Sequence, residues 1–302
     1  MAKDGLRLID NETIALSESR DLNIRGLMEG LFGGNRRSAF YGSSMDFADY
    51  REYAPGDDPR RVDWNLWART DKLWLKLFTD ERRQHHRIYI DCSASMDWGQ
   101  PEKHLIALKT AALLGLLAVN GMDRVSWYAL EEDRCRRITE AVSGREKWAL
   151  GLDALAGVPC GGDTKLARAV MSCPDPGRRD GISFLLSDFL TDEDWKSAAD
   201  WLSETGREVC LIRILSPDEV NPALAGKLRL KDAEAAGEDD GRNLRMDIGR
   251  ERLRAYAAAL AWLDDDIKRF CAARRIRLFT TTCDRPLSRI LFDGAVRSEM
   301  VR

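Results

Sequence analysis

The sequence of 302 residues predicts an α/β fold in which helices cover both faces of a mainly parallel, doubly wound β-sheet. Three observations predict it. From Arg87 onward, short apolar runs typical of strands alternate with longer stretches of helical periodicity. Most of the strand-like runs are apolar almost throughout, as expected for strands that helices cover on both faces. Hydrophobic residues make up 44% and charged residues 32% of the chain, which is typical of an ordered globular protein.

We expect six strands and five helices in this alternating region. The predicted strands are 87–91, 125–130, 135–139, 183–188, 209–215 and 275–281. The predicted helices are 102–120, 145–155, 164–172, 192–205 and 252–273. The segment Glu131-Glu132-Asp133 is too short for a crossover helix, so the strands on either side of it should form an antiparallel hairpin at one edge of the sheet.

Two regions fall outside the alternation. We predict that residues 1–80 form an N-terminal extension packed on a main domain of residues 81–302. Prolines and glycines punctuate residues 216–249, which we interpret as a β-rich insertion between a strand and a helix. Within it, 228–231 and 244–248 could pair as a hairpin that packs against the N-terminal region.

Polar residues with the chemistry of a metal site follow the first strand of the predicted sheet. Asp91, Ser93 and Ser95 alternate along the chain, and alternate residues of an extended segment point the same way. Ligands bind at the carboxyl ends of the strands in such sheets. Oxygen side chains with few carboxylates suit a hard divalent cation, Mg²⁺ or Mn²⁺. Asp and Ser also serve as ordinary turn and capping residues, so this motif alone leaves both interpretations open.

Two further loops strengthen the metal interpretation. In Gly161-Gly162-Asp163-Thr164, glycines precede a threonine that opens a predicted helix. Asp188 ends another apolar strand. Both loops fall at carboxyl-edge positions of the predicted sheet.

These residues resemble the metal-ion-dependent adhesion site of the von Willebrand factor A and integrin I-domain superfamily, where Asp-x-Ser-x-Ser, a Thr and an Asp follow in that order. The resemblance implies direct ligation by Ser93 and Ser95, direct or water-mediated ligation by Thr164, and mainly water-mediated roles for Asp91 and Asp188. A cation held in this way would keep an open position that attracts a carboxylate from another chain. Asp163 stands where the superfamily often has a small residue, and its role stays open.

A second motif lies upstream, in Tyr53-Ala54-Pro55-Gly56-Asp57-Asp58-Pro59-Arg60-Arg61-Val62-Asp63-Trp64. With the metal loops, it resembles bacterial domain-of-unknown-function family fifty-eight, which comprises von Willebrand A-like proteins often encoded beside MoxR-type AAA+ ATPases. The resemblance covers about residues 40–290 and implies such an ATPase as a partner. The acids and arginines of the motif either form a docking surface for the ATPase or, as we favour, a tight turn with a buried arginine–carboxylate network.

We predict a metal-dependent protein–protein interaction module, not an enzyme, that binds an acidic partner residue and serves as an adaptor or co-chaperone of the ATPase. The alternative is a metal-dependent hydrolase of unknown substrate. We interpret His85 and His86 as a surface pair and His104 as a residue on a helix face, and the sequence has no Gly-x-Ser-x-Gly, His-Glu-x-x-His or Walker motif. Trp98 could form part of a hydrophobic rim around a docked acid.

Charge, cysteines and hydropathy limit the partners and the compartment. A formal net charge of −3 gives no general attraction to nucleic acid. The 7 cysteines include no Cys-x-x-Cys pair and are typical of buried thiols in a reducing cytoplasm. The N-terminus lacks the pattern of a secretory signal, and the longest apolar run, 105–119, is too short for a bilayer span. We therefore expect a soluble, cytoplasmic protein without a membrane span.

Overall fold

The computed structural model describes residues 8, 9, 14, 47–55, 57–78, 84–175, 177, 181–191, 194–224, 226–230 and 244–286. The chain divides into two compact units: Asn35–Arg83 form the smaller one, and Met1–Gly34 together with Gln84–Arg302 form the larger one. The packing of an extension of residues 1–80 on the main domain stays a prediction.

The smaller unit is built on two antiparallel strands, β1 (Phe47–Glu52) and β2 (Trp74–Phe78). Between them, a 3₁₀ turn at Pro59–Arg61 precedes helix α1 (Trp64–Thr70). The proline fixes the first residue of the 3₁₀ turn, where its missing amide proton costs no hydrogen bond.

Among the described residues of this unit, Asp63 is the buried acid, only 6% exposed. Its Oδ1 caps α1 by accepting hydrogen bonds from the amides of Asn65 and Leu66, at 3.0 and 3.1 Å. Its Oδ2 accepts a hydrogen bond of 2.7 Å from the Tyr50 hydroxyl and lies 3.2 Å from Lys76 Nζ. The Tyr50 hydrogen bond above all, then the α1 amides and Lys76, outweigh the effect of burial and lower the pKa of Asp63 to about 2. Asp63 therefore ties β1, α1 and β2 together.

The expected tight turn around Asp57 is present, but its arginine pair lies at the surface. Asp57 accepts a hydrogen bond of 2.9 Å from the Ala54 amide and one of 2.8 Å from Arg51 Nη2. The side chains of Arg51 and Asp57 are 47% and 24% exposed. The prediction of a buried arginine–carboxylate network is wrong for this pair, because the acid that is buried, Asp63, is held by a tyrosine and a lysine instead.

The larger unit contains a six-stranded sheet and a separate hairpin. Its strands are β3 (His85–Asp91), β4 (Arg124–Glu131), β5 (Arg134–Arg137), β6 (Ile182–Ser187), β7 (Glu208–Leu215), β8 (Gly226–Leu230), β9 (Leu244–Ile248) and β10 (Arg277–Thr282). The sheet has the order β10-β7-β6-β3-β4-β5, with all neighbours parallel except β4 and β5. The predicted α/β class, with a mainly parallel sheet and one antiparallel edge strand, is confirmed.

Helices cover both faces of this sheet. The larger unit contains the helices α2 (Lys103–Asn120), α3 (Arg145–Ala156), α4 (Leu166–Met171), α5 (Trp195–Glu204), α6 (Pro217–Val220) and α7 (Arg250–Arg274). α2 and α3 share one core with Ile88 and Ile90, whereas α4, α5 and α7 share a second core with Tyr89. Successive residues of β3 thus point into opposite cores, as the pleat requires, and the sheet is doubly wound as predicted.

Helix α2 is the central helix of the first core. It is apolar almost all round and is buried along nearly its whole length, as expected for a helix inside a domain. Among the described helices, only α2 has the length and composition to cross a membrane, and 83% of that stretch is buried inside the structure. A core helix of a soluble protein has the same properties.

The insertion contains the predicted hairpin. β8 and β9 pair antiparallel from Leu230 with Leu244 to Gly226 with Ile248. Lys231, the last residue of the predicted first strand, lies outside the described residues, and the packing of the hairpin on the N-terminal region stays a prediction. The short helix α6, which precedes the hairpin, has no counterpart in the sequence prediction.

The interpretation of His85 and His86 as a surface pair is wrong. They are 6% and 0% exposed, because β3 is a central strand covered on both faces. His85 Nε2 lies 2.8 Å from Ser126 Oγ, and His86 Nε2 lies 3.2 Å from Asp123 Oδ2. These contacts are structural, at the amino end of the sheet.

Candidate metal centre

The carboxyl ends of β3 and β6 bring two predicted ligand loops together. These strands are parallel neighbours, with Ile90 of β3 opposite Leu186 of β6. Asp91 and Asp188 follow within two residues and are 3% and 2% exposed. The sheet topology therefore buries two carboxylates side by side at its carboxyl edge.

Asp91 is fixed by two hydrogen bonds. Its Oδ1 accepts from the Ser93 amide at 2.9 Å, which closes a local turn, and its Oδ2 accepts from the Ser187 hydroxyl at 2.6 Å. Since both oxygens already accept from the protein, the carboxylate has a fixed orientation. Each oxygen keeps a further lone pair for a water molecule or a metal ion.

The two serines of the first loop have their hydroxyls close together. Ser93 Oγ and Ser95 Oγ are hydrogen-bonded to each other at 2.9 Å, and either hydroxyl can be the donor. Ser93 is buried and Ser95 half-buried. Two neighbouring ligands of an octahedral Mg²⁺, each at about 2.1 Å from the metal, are separated by about 3.0 Å. The pair therefore has the spacing that adjacent ligands of such an ion need.

The glycine-rich loop docks on the first loop through its backbone. The amide of Ala94 donates to the carbonyl of Gly162, and the amide of Gly161 donates to that of Cys92, both at 2.8 Å. Gly162 has φ of +84°, a left-handed conformation that favours glycine. The docking carries Thr164, which is 4% exposed, to the end of β4, where its hydroxyl is 3.5 Å from the carbonyl of Leu130.

Thr164 does not open helix α4, contrary to the sequence prediction. The helix begins at Leu166, because the amide of Lys165 donates to the carbonyl of Glu132 at 2.7 Å. The threonine is thus held in the loop between α3 and α4. Asp163, beside it, is exposed.

Asp188 has a lysine as its counterion. Its Oδ1 accepts a hydrogen bond of 2.9 Å from the Leu190 amide, and its Oδ2 accepts one of 2.6 Å from Lys103 Nζ. Lys103 Nζ also donates to Glu219 Oε1 at 2.5 Å. The carbonyl of Asp188 accepts from Arg213 Nε at 3.0 Å, which fixes the loop backbone. Asp188, like Asp91, therefore has both carboxylate oxygens engaged by the protein.

Burial and neighbouring charges shift the pKa values of Asp91 and Lys103. Burial first, and then the charge of Asp188, raise the pKa of Asp91 to about 6, although hydrogen bonds from Ser187 and Ser93 oppose the shift. Burial lowers the pKa of Lys103, but the carboxylates of Asp188 and Glu219 outweigh it, so that the pKa is raised overall. The two aspartates thus form a buried negative pair that the surrounding donors offset only in part.

The donor set fits a hard divalent cation. Two hydroxyls at ligand spacing stand with two oriented carboxylates, and oxygen donors are what Mg²⁺ and Mn²⁺ select. Within the described part of the chain, no group of three or more His, Cys, Asp or Glu side chains could hold a metal ion, and the set here has only two acids. Ser93 and Ser95 would hold the cation directly, with Asp91 and Asp188 acting through their remaining lone pairs.

Sequence reasoning missed two members of this cluster, Lys103 and Glu219. One signal could have identified the lysine: it is the first residue of an apolar helix, where the helix dipole disfavours a cation. Such a lysine needs an acidic neighbour. Glu219 lies 116 residues further along the chain, and nothing local marks it as that neighbour. The predicted rim residue Trp98 is 57% exposed.

Comparison with known proteins places these features in a family. The model of the family described as "Protein of unknown function DUF58" matches residues 49–262. Uncharacterized proteins of Mycobacterium bovis and Mycobacterium tuberculosis are 27% identical over 300 residues, which cover 97% of this chain and 89% of theirs.

Solved structures show likeness at lower identity. The conserved hypothetical protein BatB from Bacteroides thetaiotaomicron is 15% identical with a TM-score of 0.41, over 72% of this chain and 98% of that one. A von Willebrand factor type A protein from Catenulispora acidiphila is 14% identical with a TM-score of 0.38, over 72% of this chain and 42% of that one.

Proposed function

This chain belongs to the DUF58 family, whose description assigns no activity, and from that premise we propose that it is a metal-dependent protein-interaction module. Ser93, Ser95 and Thr164 with Asp91 and Asp188 bind one Mg²⁺ or Mn²⁺. The cation captures an aspartate or glutamate side chain of a protein partner.

The observation that carries the proposal is the spacing of the two serine hydroxyls, 2.9 Å, beside the buried aspartate pair. Neutral hydroxyls as direct ligands leave much of the charge of a divalent cation unneutralised. The open position of such a cation attracts an anionic oxygen, and a carboxylate is the common anionic oxygen donor of proteins. When bound, the ion supplies this electrostatic attraction, and the protein residues supply its position.

The positions of His85 and His86 favour a binding role over hydrolysis. A general base must reach the reacting atoms within a hydrogen bond or one water. His85 and His86 begin β3, whereas Asp91 ends it, about 20 Å away along the strand. His104 Nε2 lies 3.1 Å from the carbonyl of Val158, and burial lowers the pKa of this histidine.

We extend the proposal to the partner and the compartment. The partner that the family resemblance indicates is a MoxR-type AAA+ ATPase, for which this chain would act as an adaptor or co-chaperone. We propose that it does so in the cytoplasm, which the seven free cysteines support.

The test of metal binding is titration calorimetry of Mg²⁺ and Mn²⁺ into chelator-stripped protein. We expect saturable binding in the wild type and its loss in the double variant Ser93→Ala/Ser95→Ala. The matched control is Ser197→Ala/Ser203→Ala, which removes two hydroxyls from α5 and should leave binding unchanged. Absence of binding in the wild type, or its survival in Ser93→Ala/Ser95→Ala, would contradict the proposal.

The test of partner capture uses the purified MoxR-type ATPase of the same organism on immobilised protein. We expect retention in Mg²⁺ and release by EDTA, with no retention on Ser93→Ala/Ser95→Ala. Retention that EDTA does not affect would mean that the metal does not bridge the two proteins.

A further inference from the structure

We infer that Lys103 and Glu219 set the charge of the metal centre, with Lys103 as a fixed internal cation and Glu219 as the acid that offsets it. This inference rests on the proposed metal site. It assigns two residues outside the five ligand positions a role in how tightly the site holds its cation.

The position of Lys103 carries the first step. Its side chain is 0% exposed, and its ammonium lies 2.6 Å from Asp188 Oδ2 and 2.5 Å from Glu219 Oε1. A lysine ammonium is a compact point charge. It therefore shares Asp188 with any cation that this carboxylate helps to hold.

The second step is that residues outside the metal loops hold Glu219 in place. Its Oε2 accepts a hydrogen bond of 2.7 Å from the Ser216 amide, and its own amide donates to Ser216 Oγ at 3.1 Å, which forms a capping box on α6. The carbonyl of Glu219 accepts from the Tyr256 hydroxyl of α7 at 2.7 Å. The carboxylate that holds Lys103 is thus anchored by α6 and α7, and the ammonium is held in place with it.

The charges of the cluster carry the third step. The three carboxylates of Asp91, Asp188 and Glu219 and the one ammonium of Lys103 leave a net charge of −2 around the neutral serine ligands. In a buried site each further charge acts through a low dielectric and changes the affinity of the cation strongly. Removing the ammonium should strengthen cation binding, and removing the Glu219 charge should weaken it.

Three variants separate this role from a purely structural ion pair. Lys103→Met keeps the length and the apolar stem of the side chain but removes its charge. Glu219→Gln keeps the shape and an oxygen acceptor for the Ser216 amide. The double variant restores the original count of two negative charges. If the ion pair were only structural, the variants would differ in stability, but their Mg²⁺ affinities would not follow their charge.

The experiment is Mg²⁺ titration calorimetry at pH 7.5 on the wild type and these variants, with thermal unfolding of each metal-free protein. We expect Lys103→Met to bind at least about tenfold tighter, Glu219→Gln at least about tenfold weaker, and the double variant within about threefold of the wild type. The control Lys147→Met also removes a lysine charge, from α3. Helix α3 follows Val142, which pairs with Val125 at the amino end of β4, whereas the metal centre lies at the carboxyl edge of the sheet. The Mg²⁺ affinity of Lys147→Met should therefore equal that of the wild type.

The outcomes are distinguishable from failure of the proposed function. Absence of Mg²⁺ binding in the wild type overturns the metal site and this inference with it. Wild-type binding with equal affinity in Glu219→Gln and in the double variant overturns this inference alone. Lys103→Met could fail to fold because it leaves the carboxylates of Asp188 and Glu219 without their shared cation. The difference in Mg²⁺ affinity between Glu219→Gln and the double variant then still tests the inference.

Discussion

At the residue scale, the types and the spacing of five residues predict a metal site, and their role as ligands stays a prediction. Alternating Asp91, Ser93 and Ser95 after an apolar strand place oxygen atoms on one side of a loop, and the structure adds the hydroxyl spacing of 2.9 Å. Lys103 and Glu219 could not be predicted in the same way. Lys103 contacts Asp188, 85 positions away, and Glu219, 116 positions away, and only the tertiary fold brings the three together.

Asp63 gives a pH-dependent prediction at the same scale. Its pKa of about 2 in the folded protein lies below its value of about 3.9 in an unfolded chain. Its stabilising contribution is therefore fully present above about pH 4 and is lost as the pH falls through about 2. Asp63→Asn keeps the N-cap of α1 but loses the charge beside Lys76.

We expect Asp63→Asn to unfold at a lower urea concentration than the wild type at pH 5. The difference between the two urea midpoints should become smaller toward pH 2. The measurement is a urea titration at several pH values that follows the amide NMR signals of Asn65 and Leu66. A difference between the urea midpoints that stays constant from pH 5 to pH 2 would show that the Asp63 charge does not stabilise this unit.

At the element scale, the strands and helices of the sheet and the β8–β9 hairpin were predictable, whereas β1, β2, α1 and α6 were not. The helix at Lys103–Asn120 and the strands of the parallel sheet are marked by runs of apolar residues. β1 has the sequence Phe-Ala-Asp-Tyr-Arg-Glu, in which charged residues with low β propensity hide the strand. Helix α4 begins two residues later than predicted. A tertiary hydrogen bond, donated by the Lys165 amide to the carbonyl of Glu132, sets its start in place of a local capping signal.

The packing of α2 on the sheet gives a prediction at this scale. A Cβ atom at Gly115 would lie 2.5 Å from Trp127 Cζ2 and 3.2 Å from two atoms of Trp148. Trp127 is fully buried, and its indole donates to the carbonyl of Ala111 at 3.0 Å. We expect Gly115→Ala to lower the free energy of unfolding by about 1–3 kcal/mol, because neither ring can move without a cost. Urea unfolding measures it.

The matched control for this prediction is Gly157→Ala at the C-terminus of α3. Gly157 has φ of −82°, and the nearest atom to an added Cβ is 3.5 Å away. The free energy of unfolding of this variant should lie within about 0.5 kcal/mol of the wild-type value. Equal stability of Gly115→Ala and Gly157→Ala would mean that α2 packs less closely on Trp127 than the structure indicates.

At the scale of the whole molecule, the doubly wound class was predictable because it follows from alternation along the chain, and the predicted division between residues 80 and 81 stays a prediction. Residues Asn35–Arg83 form their own small unit around Asp63, and their turn residues indicate loops without indicating a separate core. All five proposed ligand positions belong to the larger unit. The family match, which runs from residue 49 to residue 262, includes both units.

The central claim is that the carboxyl edge of the sheet holds a divalent cation on the two serines. The most direct measurement is an anomalous-difference map from crystals of the full chain grown with Mn²⁺. We predict one peak at about 2.1 Å from both Ser93 Oγ and Ser95 Oγ, absent in crystals of Ser93→Ala/Ser95→Ala. A map of the wild type with no peak beside these hydroxyls, or with its strongest peak elsewhere, would contradict the account.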